Sequence, residues 1–161
     1  MWLIGIRSGI ITVLGLVAYG LFVQITELNT SIWGNLEYVV FALGIYSGHY
    51  YYKYANRGFM SYGEGIQVGL IVIVFTGLVN SVFSYAAARF IGPSFIKRII
   101  SGVKIALQQS PLDEGNIQEG VRFIEANMTP ELLLVITFFT TLLTGLIFTL
   151  LITVFSKRSE H

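Results

Sequence analysis

The sequence predicts an all-α integral membrane protein, with four transmembrane helices and an amphipathic helical hairpin between the third and fourth. Three observations carry that reading. Apolar residues make up 54% of the chain and charged residues 12%, with a mean hydropathy of +0.71, about half the charge usual in a soluble domain. Four apolar stretches are long enough to cross a hydrocarbon core, which takes roughly 20 residues as helix. Between the last two lies a segment whose apolar residues recur at helical spacing and whose cations fall on the opposite face. At 161 residues a single membrane domain, 1–161, is expected.

The first span is expected over about 8–25. It follows Arg7 as the apolar core of a signal peptide follows its charged region, but the run is long for a signal core and no small-x-small cleavage site follows. Residues 26–35 form a short polar link with Glu27 and no cation. The second span, about 36–52, carries Glu37 near one end and His49 near the other. It runs into Tyr50, Tyr51, Tyr52 and Tyr54 with Lys53 and Arg57, and aromatic rings and cations together favour the cytoplasmic membrane boundary. A turn at Asn56-Arg57-Gly58 leads to Ser61-Tyr62-Gly63-Glu64, which has the spacing of a capping box.

The third span, about 62–90, is the longest, and at 1.5 Å per residue it exceeds the bilayer core and must tilt or project. Gly92-Pro93 interrupts the pattern. From 94 to 109, Phe95, Ile96, Ile99, Ile100, Val103, Ala106 and Leu107 form one stripe, opposed by Lys97, Arg98 and Lys104; Ile105 alone falls among the polar residues. A weaker amphipathic segment ends near 127, and 110–116 is expected as the turn between the two, with a new cap at Ser110-Pro111. Thr129-Pro130-Glu131 opens the fourth span, about 131–155, with Thr129 as N-cap.

Arg7, Lys53, Arg57, Lys157 and Arg158 fall on one side of this arrangement. Arg89, Lys97, Arg98, Lys104 and Arg122 fall on the other, mixed with Asp113, Glu114, Glu119 and Glu125. Because the second group is diluted by acids, both termini are expected in the cytoplasm.

The runs FALGIYSGHYYYKYANRGFMSYGEGIQVGL, ARFIGPSFIKRII and MTPELLLVITFFTTLLTGLIF resemble the bacterial four-helix membrane family called domain of unknown function 4199. Shared features are a glycine-bearing second helix, a polar aromatic link, an Ile-x-Pro element (here Ile91-Gly92-Pro93) and a proline before helix four (Pro130). Where the family often has an acid before the first proline, this chain has Gly92. The resemblance implies the architecture and a bacterial inner (cytoplasmic) membrane, and it brings no activity with it.

Intramembrane ionisable residues are functional candidates by default, which singles out His49, Glu37 and Asn80. Each has a plainer reading: His49 hydrogen-bonded among tyrosines at the interface, Glu37 solvated at the boundary, Asn80 bonded between helices. The glycine pairs Gly5/Gly9, Gly44/Gly48 and Gly65/Gly69 place small residues one turn apart, allowing close backbone approach in lipid. Thr137, Thr141, Gly145, Thr149 and Thr153 repeat every fourth residue on helix four. Thr141, Gly145 and Thr149 are expected to face another helix, with Leu142, Leu150 and Leu151 turned towards lipid.

No metal, phosphate-cradling or nucleophile motif stands out, the chain has no cysteine, and no basic patch points to nucleic acid. No cofactor and no enzymatic activity are therefore expected. The patterns point to a structural or accessory membrane protein that docks lipid, a membrane-protein partner or a second copy. A small oligomeric transporter or channel is the alternative, and an enzyme acting on lipid-linked substrates has the least support.

Overall fold

The computed structural model describes residues 1–26, 36–111 and 113–158. Its described residues form six helices and no strand: α1 (Trp2–Thr26), α2 (Leu36–Ala55), α3 (Tyr62–Phe90), α4 (Pro93–Gln108), α5 (Glu114–Asn127) and α6 (Pro130–Ser156). The expected link between the first two spans lies outside the described residues.

Three of these helices are long and apolar enough to cross a membrane: α1 over Trp2–Gly20, α3 and α6. Four spans were expected. The difference is α2, whose 20 residues reach about 30 Å but include Glu37, Ser47, His49, Lys53 and a run of tyrosines. The first span is corrected too. α1 starts at Trp2 because nothing in Trp2–Arg7 breaks a helix, and the Gly5 amide already bonds to the Met1 carbonyl at 3.0 Å. Arg7 therefore sits inside α1 rather than before it.

The caps follow from local chemistry. Glu64 accepts from the Ser61 amide at 2.7 Å, and the Glu64 amide donates to the Ser61 hydroxyl at 3.3 Å, so the capping box starts α3. Pro93 opens α4 after Gly92, whose φ of 80° suits a residue without Cβ. The expected 110–116 turn is shorter than the sequence implied. The Asp113 carboxylate accepts from the Asn116 amide at 2.9 Å, so Asp113 is the N-cap and Glu114 already belongs to α5. Ser110 is no new cap; its hydroxyl donates back to the Leu107 carbonyl at 2.6 Å and closes α4. Thr129 caps α6 by accepting from the Leu132 amide at 3.2 Å.

The chain divides into two compact units, Met1–Val79 with Phe139–His161, and Asn80–Phe138. In the first, Phe41, Ile45, Val72 and Ile73 form the core, with Leu16, Leu142, Phe148 and Ile152 packed around it. Leu142 is thus half-buried rather than turned to lipid, because its side of α6 reaches the Phe41 cluster, whereas Leu150 and Leu151 are exposed. Ser8 lies beside Gly48 and Thr12 beside Gly44, which makes α1 antiparallel to α2. This unit is apolar outside, and its interior mixes that core with buried hydroxyls. Leu14, Leu43, Leu143 and Ile147 are all at least 60% exposed, while Ser8, Thr12, Thr76, Thr149 and Thr153 are buried to 1% or less. In water that distribution would be heavily penalised, since buried hydroxyls gain little and exposed leucines lose their transfer energy; in lipid the same surface costs nothing.

In the second unit α4 packs against α5. Val121 and Leu133 are buried there, along with Ala87 and Ala88 near the end of α3. Ile105 stands exposed, as its place among the polar residues of α4 requires.

Candidate functional site

The richest polar chemistry gathers at one end of the first unit, where α2 ends, the 56–61 turn crosses, α3 begins and α6 ends. The turn is set by Arg57 at φ 52° and Gly58 at φ 90°. It is closed by the Gly58 amide on the Lys53 carbonyl at 2.7 Å and the Asn56 side-chain amide on the Phe59 carbonyl at 3.1 Å. Two ties then bind α6 to this end. Met60, fully buried, exchanges a pair of 2.9 Å backbone hydrogen bonds with Arg158, and Lys53 Nζ donates to the Ser156 carbonyl at 3.2 Å. That lysine sits at the last turn of α2, yet its charge serves the orphan carbonyls ending α6. Tyr52 donates its phenol to Glu64 Oε1 at 2.7 Å, so the capping carboxylate also joins α2 to α3.

His49 lies one turn before Lys53 and is fully buried. Its Nε2 is 2.9 Å from the Gly65 carbonyl. A carbonyl can only accept, so Nε2 carries the proton. Nδ1 is buried with no partner among the described residues. The ring reaches from α2 to the backbone of α3.

Close approach of the helices depends on glycine at this end. A Cβ built on Gly65 would lie 2.5 Å from Thr153 Cγ2, and one on Gly69 would overlap the Thr149 side chain. Further along, a Cβ on Gly145 would meet Ile73 Cγ2 at 2.5 Å and Phe41 Cζ at 2.9 Å, and one on Gly44 would overlap Thr12. Gly48 faces Val68, Val72 and Ser8 more loosely, from 3.2 Å. Thr141, on the same α6 row, is half-buried. Thr153 donates to the Thr149 carbonyl at 2.6 Å and Thr12 to the Ser8 carbonyl at 2.7 Å, whereas the buried hydroxyls of Thr76 and Thr149 have no partner among the described residues.

The three ionisable or polar candidates do not converge. Glu37 is exposed in the first turn of α2, about 18 Å along that helix from His49. Asn80 is half-buried on α3, about 22 Å along it from Gly65. Lys97, Arg98 and Lys104 are exposed on α4. Among the described residues no group of three or more His, Asp or Glu side chains could hold a metal ion.

The Lys53–Ser156 tie and the Met60–Arg158 pairing had no signal in the sequence. Each joins segments about a hundred residues apart, and neither uses a recognisable motif. The Tyr52–Glu64 bond was closer to hand, since both residues flank one short turn.

No curated protein and no solved structure matches the chain. A family model described as "Protein of unknown function (DUF4199)" matches residues 3–158. The chain belongs to that family.

Proposed function

We propose that this is a multi-pass protein of the bacterial inner membrane, with α1, α2, α3 and α6 as four spans and both termini in the cytoplasm. Its role is structural or accessory: a rigid helical scaffold that docks lipid, a membrane-protein partner or a second copy, with no catalysis of its own. One observation carries the reading, the apolar exterior of the first unit around an interior that holds buried hydroxyls beside its small apolar core. Hydroxyls and glycines inside serve close packing, and the exposed leucines and isoleucines suit contact with acyl chains. α2 qualifies as a fourth span because its polar members are accounted for. His49 is turned inwards, the tyrosines sit towards one end, and Leu43, 60% exposed, suits a lipid-facing position.

The orientation is supported by the charges gathered at one end. The Met60–Arg158 pairing and the antiparallel course of α1 bring Arg7, Lys53, Arg57, Lys157 and Arg158 towards the same end, as the excess of cations in cytoplasmic loops favours. A small transporter or channel is the second reading, favoured by the Nδ1 of buried His49, which has no partner among the described residues.

Because the native chain has no cysteine, single cysteines at Arg57 and Asn116 test the orientation with an impermeant thiol reagent on whole cells. Labelling of Asn116→Cys and not Arg57→Cys is expected, and the reverse overturns it. Purification from native membranes tests the role. A stoichiometric protein partner or retained lipid supports the scaffold, and specifically bound solute or ion supports transport instead.

A further inference from the structure

Among the described residues, α4 is an amphipathic element whose apolar face the fold covers only in part. Although it packs against α5, none of its residues is buried, and Phe95, Ile99, Val103 and Leu107 along its stripe are only half-covered. A 16-residue helix of this kind is marginal when left in water. The chain limits where its cover can come from. Ile91 and Gly92 alone join α4 to α3, and Met128 and Thr129 alone join α5 to α6. Both α3 and α6 are long and apolar enough to cross a membrane. Two residues reach about 7 Å at most, so both ends of the hairpin are held beside the ends of spans. The exposed rings and side chains at the first junction suit that place: Phe90 is 86% exposed and Ile91 54%.

Charge then separates the two helices of the hairpin. α4 carries Lys97, Arg98 and Lys104 and no carboxylate, whereas α5 carries Glu114, Glu119 and Glu125 against Arg122 alone. Resting on the membrane reading of the first unit, we propose that α4 is a binding helix for anionic phospholipid headgroups. It lies along the bilayer surface with its stripe at the acyl boundary and its lysine and arginine heads on lipid phosphates. Long cationic side chains can reach the headgroups from the rim of such a stripe. The acidic α5 is repelled from the same surface and flanks α4 at the Leu107 edge of the stripe, where a Cβ on Gly120 would lie 3.9 Å from Leu107 Cδ1.

The test uses the full chain in bilayers. Gly102 lies on α4 beside the stripe, and a Cβ there meets nothing within 4 Å among the described residues, so Gly102→Cys offers a single labelling site in an otherwise cysteine-free protein. A fluorophore at that site is titrated with brominated phosphatidylglycerol and, separately, with brominated phosphatidylcholine. We expect both lipids to quench it, with phosphatidylglycerol preferred by at least roughly fivefold, the worth of one surface cation. Adding Lys97→Gln, Arg98→Gln and Lys104→Gln should bring the preference to about one. Equal quenching by the two lipids in the parent, or quenching by neither, overturns the proposal without any need for the triple variant. Preference retained in a folded triple variant overturns the role of the cations. Extraction of the protein from membranes by alkaline carbonate would instead overturn the membrane reading itself.

Discussion

Gly145→Ala is a minimal perturbation of the packing account. The new methyl would sit 2.5 Å from Ile73 Cγ2, 2.8 Å from Ile73 Cβ and 2.9 Å from Phe41 Cζ. Carbon atoms prefer about 3.5–4.0 Å, so α6 and α3 must part by the order of 1 Å. Ile73 cannot swing aside, because a β-branched side chain in a helix holds one rotamer and this one is almost wholly buried. Overpacking of this kind costs about 1–3 kcal/mol, while alanine recovers up to about 1 kcal/mol of helix propensity over glycine. The net effect is a loss of up to about 2 kcal/mol. Gly102→Ala gives the propensity term alone, since its Cβ meets nothing within 4 Å among the described residues, and should stabilise α4 by up to about 1 kcal/mol. Gly145→Leu should lose more than Gly145→Ala, whereas Leu150→Ala should do little because Leu150 is partly exposed. Reversible unfolding in mixed micelles reads the first three, with thermal melting in detergent for the last. If Gly145→Ala stabilises as much as Gly102→Ala, the close approach of α6 and α3 is wrong.

Further outcomes rest on single bonds. Tyr52→Phe removes the phenol from Glu64 while Ser61 keeps the carboxylate in its capping role, so a loss of about 1 kcal/mol is expected, and proteolysis within 56–60 should quicken; unchanged proteolysis would show that the bond does not hold the turn. His49→Leu keeps much of the volume and strips the Gly65 carbonyl of its second donor. Since that also removes an orphan Nδ1, the net change should stay within about 1 kcal/mol of zero, and a loss above about 3 kcal/mol would mean that Nδ1 has an important partner. Thr129→Ala removes the α6 cap and should cost about 1 kcal/mol, seen as faster hydrogen exchange at the amide of Leu132; equal exchange would place the cap elsewhere.

How far the chain was readable depended on the range of the interaction. α3 was legible end to end because a capping box starts it and Gly92-Pro93 separates it from α4. The α6 start was legible from Thr129-Pro130, and the α4 helix from spacing alone, with Ile105 exposed as expected but Ala106 of the expected stripe exposed as well. The 110–116 turn was misjudged because Pro111 looked like the stronger signal, whereas the Asp113 carboxylate reaching Asn116 decides where α5 begins. α2 was read as a span like the others, since its length suffices, but its polar content sets it apart from α1, α3 and α6. At the candidate site the long-range ties were invisible. Nothing local marks Ser156 as the acceptor for Lys53, or Gly65 as the acceptor for His49, because each pairing depends on how α2, α3 and α6 come together.

The membrane reading requires the leucines and isoleucines exposed on the first unit to face lipid, with α2 as a full member. Spin labels at Leu43 on α2 and Leu143 on α6, each exposed in the fold, test this directly in lipid bilayers. Collision with dissolved oxygen reports hydrocarbon, and collision with a water-soluble nickel chelate reports solvent. The account predicts that both labels favour oxygen strongly and to a similar degree. A Leu43 label that favours the nickel chelate, beside a Leu143 label that favours oxygen, would place α2 outside the membrane and contradict it.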